Sequence, residues 1–274
     1  MAKFFLPKIL TSTLQGKSLD VCKKYFHESI AEIREQIYHE TSPLVYLQAE
    51  QGRIGAGATR FIVETHADYV IIATCLHAIE DASGKIFKNI HCRRIIKKPA
   101  GALLGLLGSQ EKTESTSLQI LAMVAAEDGS DLVFIKLAHR GELSKVKKLS
   151  RGALPEQPRL CFMTRQSTQD SIELFSGAID PSYFIYTGKF DSSKKSLYAQ
   201  VVAKRGLAQD EFDGVRHLVV KSNGDHGCSG GPVFDRDWNI YGMVVAKSAT
   251  EYEVYILPIK RITNYLEKIR GELR

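Results

Sequence analysis

Hydrophobic residues recur every three or four positions in two stretches of this chain. Residues 18–39 are otherwise polar, and their spacing predicts an amphipathic helix capped at Ser18. Its apolar stripe either packs on the rest of the protein, binds a partner or covers a cleft. The same spacing at residues 259–273 predicts a C-terminal helix. The stripes consist of Leu19, Cys22, Phe26, Ile30, Ile33 and Ile37 in the first helix and of Ile259, Ile262, Leu266 and Ile269 in the second.

Between these helices, short apolar runs rich in β-branched residues alternate with turn residues. One set of runs extends from residue 44 to about residue 143, and a second set from residue 159 to residue 256. Many short strands and few helices predict an all-β barrel or sandwich architecture. Residues 97–117 depart from the strand pattern and are predicted to form an inserted loop. Residues 151–158 are predicted to link the two halves.

Composition excludes several classes of protein. With 274 residues, 44% hydrophobic and 25% charged, the chain has the size and balance of a soluble globular protein. Its five cysteines are too few, and odd in number, for the disulfide scaffold of a secreted domain. No signal peptide is evident, and no apolar run reaches the roughly 20 residues of a membrane helix. We therefore predict a cytoplasmic protein, with export by a signal-independent route as the alternative.

The net charge of +6 is modest, and the basic residues lie in small clusters without interleaved aromatic residues. Such clusters are typical of a solvated surface, and we expect no nucleic-acid partner. No integral membrane segment is expected either. The sequence leaves the oligomeric state open.

The strongest chemical signal is the run of residues 227–232, GCSGGP. Glycines on both sides of Ser229 allow successive backbone N–H groups to point into one small space, where they can bind the oxygen of a carbonyl under attack. The serine in the middle is placed to make that attack. This pattern also fits the nucleophile elbow of α/β-hydrolases, but that fold places a histidine after the serine. Only 45 residues follow Ser229, and none is a histidine.

A serine hydroxyl needs a base, and an imidazole base needs an orienting carboxylate. His77 is the best candidate for the base, because it closely follows the apolar, β-branched run Tyr69–Thr74. Asp131 is the best candidate for the carboxylate, since it directly precedes another apolar strand. Asp128 is a nearby alternative.

These segments resemble the trypsin-like serine proteases of the chymotrypsin fold, and the bacterial and viral branch more than the digestive enzymes. Residues 74–77 (TCLH) are similar to the family's Thr-Ala-Ala-His, and residues 131–137 (DLVFIKL) to its Asp-Leu-Ala-Leu-Ile-Lys-Leu. Residues 227–233 (GCSGGPV) are similar to its Gly-Asp-Ser-Gly-Gly-Pro-Val. The order is that of the family, and spacings of 54 and 98 residues between the three candidate residues suit a protease with two barrels.

The likeness extends over about residues 43–270 and implies two six-stranded antiparallel β-barrels with the catalytic groups at their junction. The first barrel would span residues 43–150 and carry His77 and Asp131. The second would span residues 151–274, carry Ser229 and end in the C-terminal helix. Residues 1–42 would be an N-terminal helical extension.

One departure from the family concerns activation. Cys228 replaces the aspartate that, in digestive enzymes, pairs with a new N-terminal amine after the zymogen is cut. That switch is therefore not available to this chain.

The resemblance also implies a substrate cleft. Counting back six residues from Ser229 places Asn223 at the base of a specificity pocket, and His226 would line the cleft. Val245, Ala246 and Lys247 would follow the cleft, and Tyr255 would stand near the pocket wall. No acidic residue is expected at the pocket base, so a strong preference for Arg or Lys is not predicted, whereas Lys247 would favour an acidic group or partly fill the pocket.

We predict a serine endopeptidase in which Ser229 attacks, His77 transfers the proton and Asp131 orients His77. The backbone N–H groups of Gly227 and Ser229 would hold the oxyanion. The partner is a protein or peptide substrate. No cofactor is expected, and no metal, because the cysteines and histidines lack the paired spacing of zinc sites. The alternative is a protein of the same fold that binds peptides with little or no catalysis.

Overall fold

A computed structural model describes residues 19–49, 58–80, 90–98, 112–141, 143, 146, 150–151, 155–156, 158–168, 171–187, 201–202, 214–222, 224, 227–248 and 252–273. Several predictions concern residues outside this description: the helix cap Ser18, the cleft residues Asn223 and His226, residues 99–111 of the predicted loop, and residues 152–154 and 157 of the predicted linker. The described part is mostly β-structure. It holds fourteen strands, two α-helices and one 3₁₀ turn.

The first half of the chain closes into an antiparallel barrel of six strands, in the order β1–β2–β3–β6–β5–β4. Val, Ile, Leu and Phe side chains dominate its buried positions, and the register of β3 and β6 places Thr74 opposite Val133. The end of one strand therefore lies beside the start of the other, so residues just beyond those ends are brought together. The strands are β1 (Leu44–Ala49), β2 (Ala58–Thr65), β3 (Tyr69–Thr74), β4 (Ile90–Lys98), β5 (Lys112–Ala125) and β6 (Val133–Ala138).

The second half forms an eight-stranded sheet whose order differs from the order along the chain, β10–β9–β11–β14–β13–β12–β8, with β7 pairing in parallel with β13. The prediction of two closed barrels is thus confirmed for the first half only. The pairing between β12 and β8 is limited to Phe234 and Phe162, because β12 has only three residues. The strands are β7 (Ser150–Arg151), β8 (Arg159–Thr168), β9 (Ser171–Thr187), β10 (Val201–Val202), β11 (Val215–Ser222), β12 (Pro232–Phe234), β13 (Asn239–Lys247) and β14 (Glu253–Pro258).

The first helix, α1 (Leu19–Gln36), packs its apolar stripe into the core that both halves share. Cys22, Phe26, Ile33 and Ile37 are buried. Polar contacts with the second half reinforce this packing: Trp238 donates its indole N–H to Gln36, and Arg236 lies 2.5 Å from Glu32. Of the three alternatives for the stripe, the structure shows packing against the rest of the protein.

The second helix, α2 (Ile259–Ile269), begins directly after β14. All four predicted stripe residues are buried, so the prediction of a terminal amphipathic helix is confirmed. Neither α1 nor α2 combines the length and the apolar character that crossing a bilayer would require.

The inserted loop predicted at residues 97–117 is shorter than expected. Strand β4 continues to Lys98 and β5 begins at Lys112, and the two strands pair from Lys98 and Lys112 onward. Residues 113–117 consist of four hydroxyl side chains and one glutamate, so this end of β5 lacks the apolar residues that would have marked a strand. Only residues 99–111 of the predicted loop lie outside the described strands.

Candidate active site

His77 lies just beyond the end of the buried strand β3. The strand ends at Thr74, Cys75 stays extended, and a 3₁₀ turn formed by Leu76–Ala78 carries the histidine. The backbone is anchored by the strand, while the imidazole is partly exposed. This placement combines a fixed position with access to solvent, which a general base requires.

Asp131 binds His77 through two hydrogen bonds. The backbone N–H of His77 donates to Oδ1 at 3.0 Å, and ring atom Nδ1 donates to Oδ2. A contact between Nδ1 and an acceptor-only carboxylate selects the neutral tautomer that carries its proton on Nδ1, in which Nε2 is the basic nitrogen. The carboxylate, at 1% exposure, is shielded from water. The pair therefore presents an oriented base.

The alternative carboxylate, Asp128, has a different role. It accepts the backbone N–H of Ser130 at 2.9 Å and binds Arg261 of α2, also at 2.9 Å. Asp128 thus shapes the turn that precedes β6, and Asp131 is the carboxylate that contacts the imidazole.

The segment around Ser229 is a tight turn tied to β13. The N–H of Gly231 donates to the carbonyl of Cys228 at 2.9 Å, and the N–H of Gly230 donates to the carbonyl of Val244 at 2.7 Å. Gly227 and Gly230 have φ angles of 92° and 80°, a region that side chains disfavour. The glycines flanking Ser229 in the sequence are therefore required by the turn itself.

This turn lies directly against the strand that leads to His77. A Cβ atom added at Gly230 would come within 2.5 Å of Thr74 Oγ1 and 3.1 Å of the backbone nitrogen of Cys75. The Cys75 thiol donates to the carbonyl of Val244 at 3.1 Å. The residue next to Ser229 thus packs two to three positions upstream of His77, and the two halves meet where the sequence predicted a site.

Two further buried residues, Arg60 and Cys75, lie at this junction, and the position of Arg60 was not recognised from the sequence. Arg60 on β2 donates from one terminal guanidinium nitrogen to the carbonyl of Ser229 at 2.9 Å. Cys75 lies between Asp131 and the Ser229 turn, and burial raises the pKa of its thiol well above the usual value. The available signal for Arg60 was an arginine directly before the apolar residues 61–63 and shortly after a glycine-rich segment.

Cys75, His77 and Asp131 also form the kind of group that could bind a metal, because one ligand atom from each lies within 4.8 Å of the others. A metal would require a thiolate. The raised pKa of Cys75 favours the protonated thiol instead, and its S–H already donates to Val244. The imidazole Nδ1 is engaged by Asp131. These residues fit a hydrogen-bonded cluster better than a metal site.

The remaining predicted site residues lie on neighbouring strands of the second sheet. Val245 is buried in the shared core, Ala246 is partly exposed and Lys247 is exposed at the end of β13. Tyr255 on β14 pairs with Ala246 and is largely buried. Their contact with a substrate stays a prediction, as do the oxyanion roles of Gly227 and Ser229.

Comparison with known families and with curated proteins finds no match by sequence. Solved structures, in contrast, match over most of the chain. The Rv3671c protease of M. tuberculosis in its active form matches with a TM-score of 0.57 at 13% identity, covering 87% of this chain and 86% of that chain. Its inactive form gives 0.53 at 14% identity, covering 87% and 95%.

Deg5 matches with a TM-score of 0.52 at 15% identity, covering 89% of this chain and 95% of that chain. Identities at this level establish the fold alone. The resemblance that the sequence motifs indicated is confirmed at that level: the chain has the fold of trypsin-like serine proteases.

Proposed function

We propose that this protein is a serine endopeptidase that cleaves protein substrates through an acyl-enzyme intermediate. The observation that carries this proposal is the junction itself. An oriented His77–Asp131 pair lies on one half, and the Ser229 turn from the other half packs against the strand that ends beside that pair. The fold shared with solved proteases supports the same conclusion.

In the proposed reaction, His77 Nε2 takes the proton of the Ser229 hydroxyl as the hydroxyl oxygen attacks the peptide carbonyl. Asp131 holds the ring in the required tautomer and stabilises the imidazolium that forms. His77 then gives the proton to the departing amine, which leaves Ser229 acylated. A water molecule, activated by the same imidazole, hydrolyses the ester and restores the hydroxyl.

The oxyanion is assigned to the backbone N–H groups of Gly227 and Ser229. The positive φ of Gly227 supports this assignment, because it lets the backbone turn at that point and aim neighbouring N–H groups to one side. Loss of one such donor would cost on the order of 3 kcal/mol of transition-state stabilisation.

For substrate preference, we propose that the cleft follows β13 past Ala246 to Lys247. The exposed ammonium group of Lys247 favours an acidic group on the substrate. The protein is also proposed to work in a reducing compartment, since all five cysteines are buried and none forms a disulfide.

At the level of architecture, we propose that the second sheet closes into the second barrel of the protease fold. Strand β8 pairs with β12 on one side and with β9 on the other, which supports closure. We also propose a division into residues 1–42, 43–150 and 151–274, with the short strand β7 (Ser150–Arg151) at the last boundary.

The decisive experiment is labelling of the active-site serine with a fluorophosphonate probe, followed by mass mapping of the labelled peptide. The parent protein is expected to be labelled at Ser229, and Ser229→Ala to remain unlabelled. His77→Ala should lose most of the labelling rate, because the serine then lacks its base. Cys228→Ala is the matched control: it changes the adjacent buried residue and should still be labelled.

A folded parent protein that resists the probe would contradict the proposal. If that protein nevertheless binds unfolded polypeptides, the peptide-binding alternative gains support. Mapping of new N-termini in a complex protein mixture, with Ser229→Ala as the reference, would then identify the cleaved bonds of an active enzyme.

A further inference from the structure

Arg60 is a buried cation at the centre of the junction. Arg60 is the third residue of β2, its side chain reaches the Ser229 turn, and the residue has 0% exposure. One terminal nitrogen donates to two backbone carbonyls, that of Thr59 at 2.7 Å and that of Ser229 at 2.9 Å. Ser229 lies 169 positions away in the sequence, so this contact joins the two halves.

Among the described residues, Arg60 forms no ion pair with a carboxylate, and two of its side-chain nitrogens, Nε and the second terminal nitrogen, have no hydrogen-bond partner. Burial lowers the pKa of this guanidinium to about 10. Burying a charge without full compensation is costly, and replacing buried charges by apolar residues of similar volume is often neutral or stabilising. Arg60 is therefore poorly explained by a contribution to stability.

The contact with Ser229 has a specific geometric effect. The peptide plane between Ser229 and Gly230 has its carbonyl on one side and its N–H on the other. Arg60 holds the carbonyl, and the carbonyl of Val244 accepts the N–H at 2.7 Å. With both ends of one rigid plane held, the rotation of the backbone at Ser229 is fixed, and so is the direction of its Cα–Cβ bond.

We propose that Arg60 is a positioning residue that sets the orientation of Ser229 for reaction with the substrate carbonyl. This proposal rests on the proposed function. It also supplies a physical replacement for the activation switch that Cys228 cannot support. In digestive enzymes the cation is an amine released when the zymogen is cut. Here the guanidinium of Arg60 on β2 already binds the carbonyl of Ser229, so no cleavage is needed to supply a cation.

Arg60→Met tests the proposal, because methionine keeps much of the volume and removes the donors. The measured quantities are the maximal labelling rate and the half-saturating concentration for the fluorophosphonate probe. We expect the maximal rate to fall roughly 10- to 100-fold, as for a misplaced reacting group, with little change in the half-saturating concentration. The melting temperature should change little, because the cost of burying the charge is removed together with its two hydrogen bonds. Arg60→Lys, which keeps a cationic donor, should recover part of the rate.

Arg94→Met is the matched control. Arg94 is also a buried arginine whose pKa burial lowers to about 10, and it also donates to backbone carbonyls, those of Glu40 and Ser42. Those carbonyls belong to the connection after α1 and not to the Ser229 turn. Its loss should lower the melting temperature and leave the maximal labelling rate of the folded protein unchanged.

A second measurement does not depend on activity. Hydrogen exchange at the Gly230 amide should be faster in Arg60→Met than in the parent and unchanged in Arg94→Met.

A parent protein that is not labelled would refute the proposed function, while the exchange result would still decide the role of Arg60. The positioning role would be overturned by an unchanged maximal rate in Arg60→Met, by an equal fall in Arg94→Met, or by unchanged exchange at Gly230. If Arg60→Met does not fold, the same criteria apply to Arg60→Lys: a parent-like rate supports the role, and a rate that falls with the folded fraction alone overturns it.

Discussion

Gly230 is a residue at which the two halves approach closely beside the site. Its φ angle of 80° is unfavourable for a residue with a side chain, and its surroundings leave no room for a Cβ atom. The atoms in the way, Thr74 Oγ1 and one nitrogen of Arg60, belong to buried side chains that cannot swing into solvent. Two separate costs therefore apply at this position.

Gly230→Ala is expected to destabilise the protein by roughly 3 kcal/mol, the sum of a left-handed backbone and a steric overlap, and to abolish fluorophosphonate labelling. Gly141→Ala separates the two costs. Gly141 has a φ of 99° and nothing within 4 Å of its added Cβ, so only the backbone cost of about 1 kcal/mol should remain. Urea unfolding measures both variants, and equal destabilisation would show that the overlap at Gly230 is relieved elsewhere.

His217 on β11 predicts a pH dependence of stability. Burial lowers the pKa of this imidazole to about 4, below the value of about 6.5 in an unfolded chain. The folded state therefore binds fewer protons, so the stability that neutral His217 allows is complete above pH 6.5 and is lost as the pH falls toward 4. The loss attributable to this residue is up to about 3 kcal/mol.

His217→Asn keeps a donor near the position of Nδ1, which donates to the Val215 carbonyl at 2.9 Å, and removes the titration. Urea unfolding at pH 7 and pH 4.5 should show a smaller decrease for the variant than for the parent. Parallel decreases in the two proteins would assign acid sensitivity to other groups.

At the scale of single residues, the sequence predicted the contact between His77 and Asp131 because each abuts a recognisable apolar strand. It did not predict the role of Arg60. An arginine in a strand is ordinarily exposed, and only the partner strand shows that this one is enclosed. The pattern of polar and apolar residues along one strand shows which side chains share a face. It does not show which neighbouring strands pack on that face.

Among the elements, α1 was predicted correctly from the spacing of its apolar residues. Its stripe residues Cys22, Phe26 and Ile33 are buried in the shared core, while the opposite face is exposed. Ile33→Ala, at a position of 0% exposure, should cost about 2–5 kcal/mol through lost burial and a residual cavity. Val21→Ala, at 45% exposure on the same helix, should change stability by less than about 0.5 kcal/mol.

The two variants truncate β-branched side chains of similar size on opposite faces of α1, so their denaturation midpoints compare the two faces. Similar small losses would mean that α1 adds little to the stability of the fold.

Strands β4 and β5 illustrate the opposite case, in which the hydrophobic pattern did not predict the paired strands. Their outer ends pair through backbone hydrogen bonds with few apolar side chains, and such strands resemble loops in sequence.

For the whole molecule, the meeting of the two halves followed from the ordered motifs, whereas the sheet order of the second half did not. Pairing between strands far apart in sequence depends on packing that no local window contains. The three-residue strand β12 and the long strand β9 are examples, since each pairs with strands on both sides. The sequence therefore predicted two successive sets of strands, but it did not predict the strand order of the second set.

Helix α2 joins the end of the second half to the loop that carries Asp131. The hydroxyl of Tyr265 accepts the backbone N–H of Glu127 at 2.7 Å, and its ring stacks on Phe134 of β6. Arg261 donates to Ser130 Oγ at 2.9 Å and also binds Asp128. The turn before Asp131 is thus bound by the last described helix, which belongs to the second half of the molecule.

Tyr265→Phe isolates this connection, because it deletes the hydroxyl and keeps the stacked ring. The backbone N–H of Glu127 loses its acceptor, so stability should fall by about 1 kcal/mol, and the maximal labelling rate should fall several-fold as the loop before Asp131 loosens. Tyr252→Phe removes a hydroxyl at a tyrosine of 62% exposure and should leave both quantities unchanged. A loss of stability without any loss of labelling rate would show that α2 supports the fold alone. A loss of both in Tyr265→Phe, with Tyr252→Phe unaffected, would show that the C-terminal helix of one half helps to hold the carboxylate of the other.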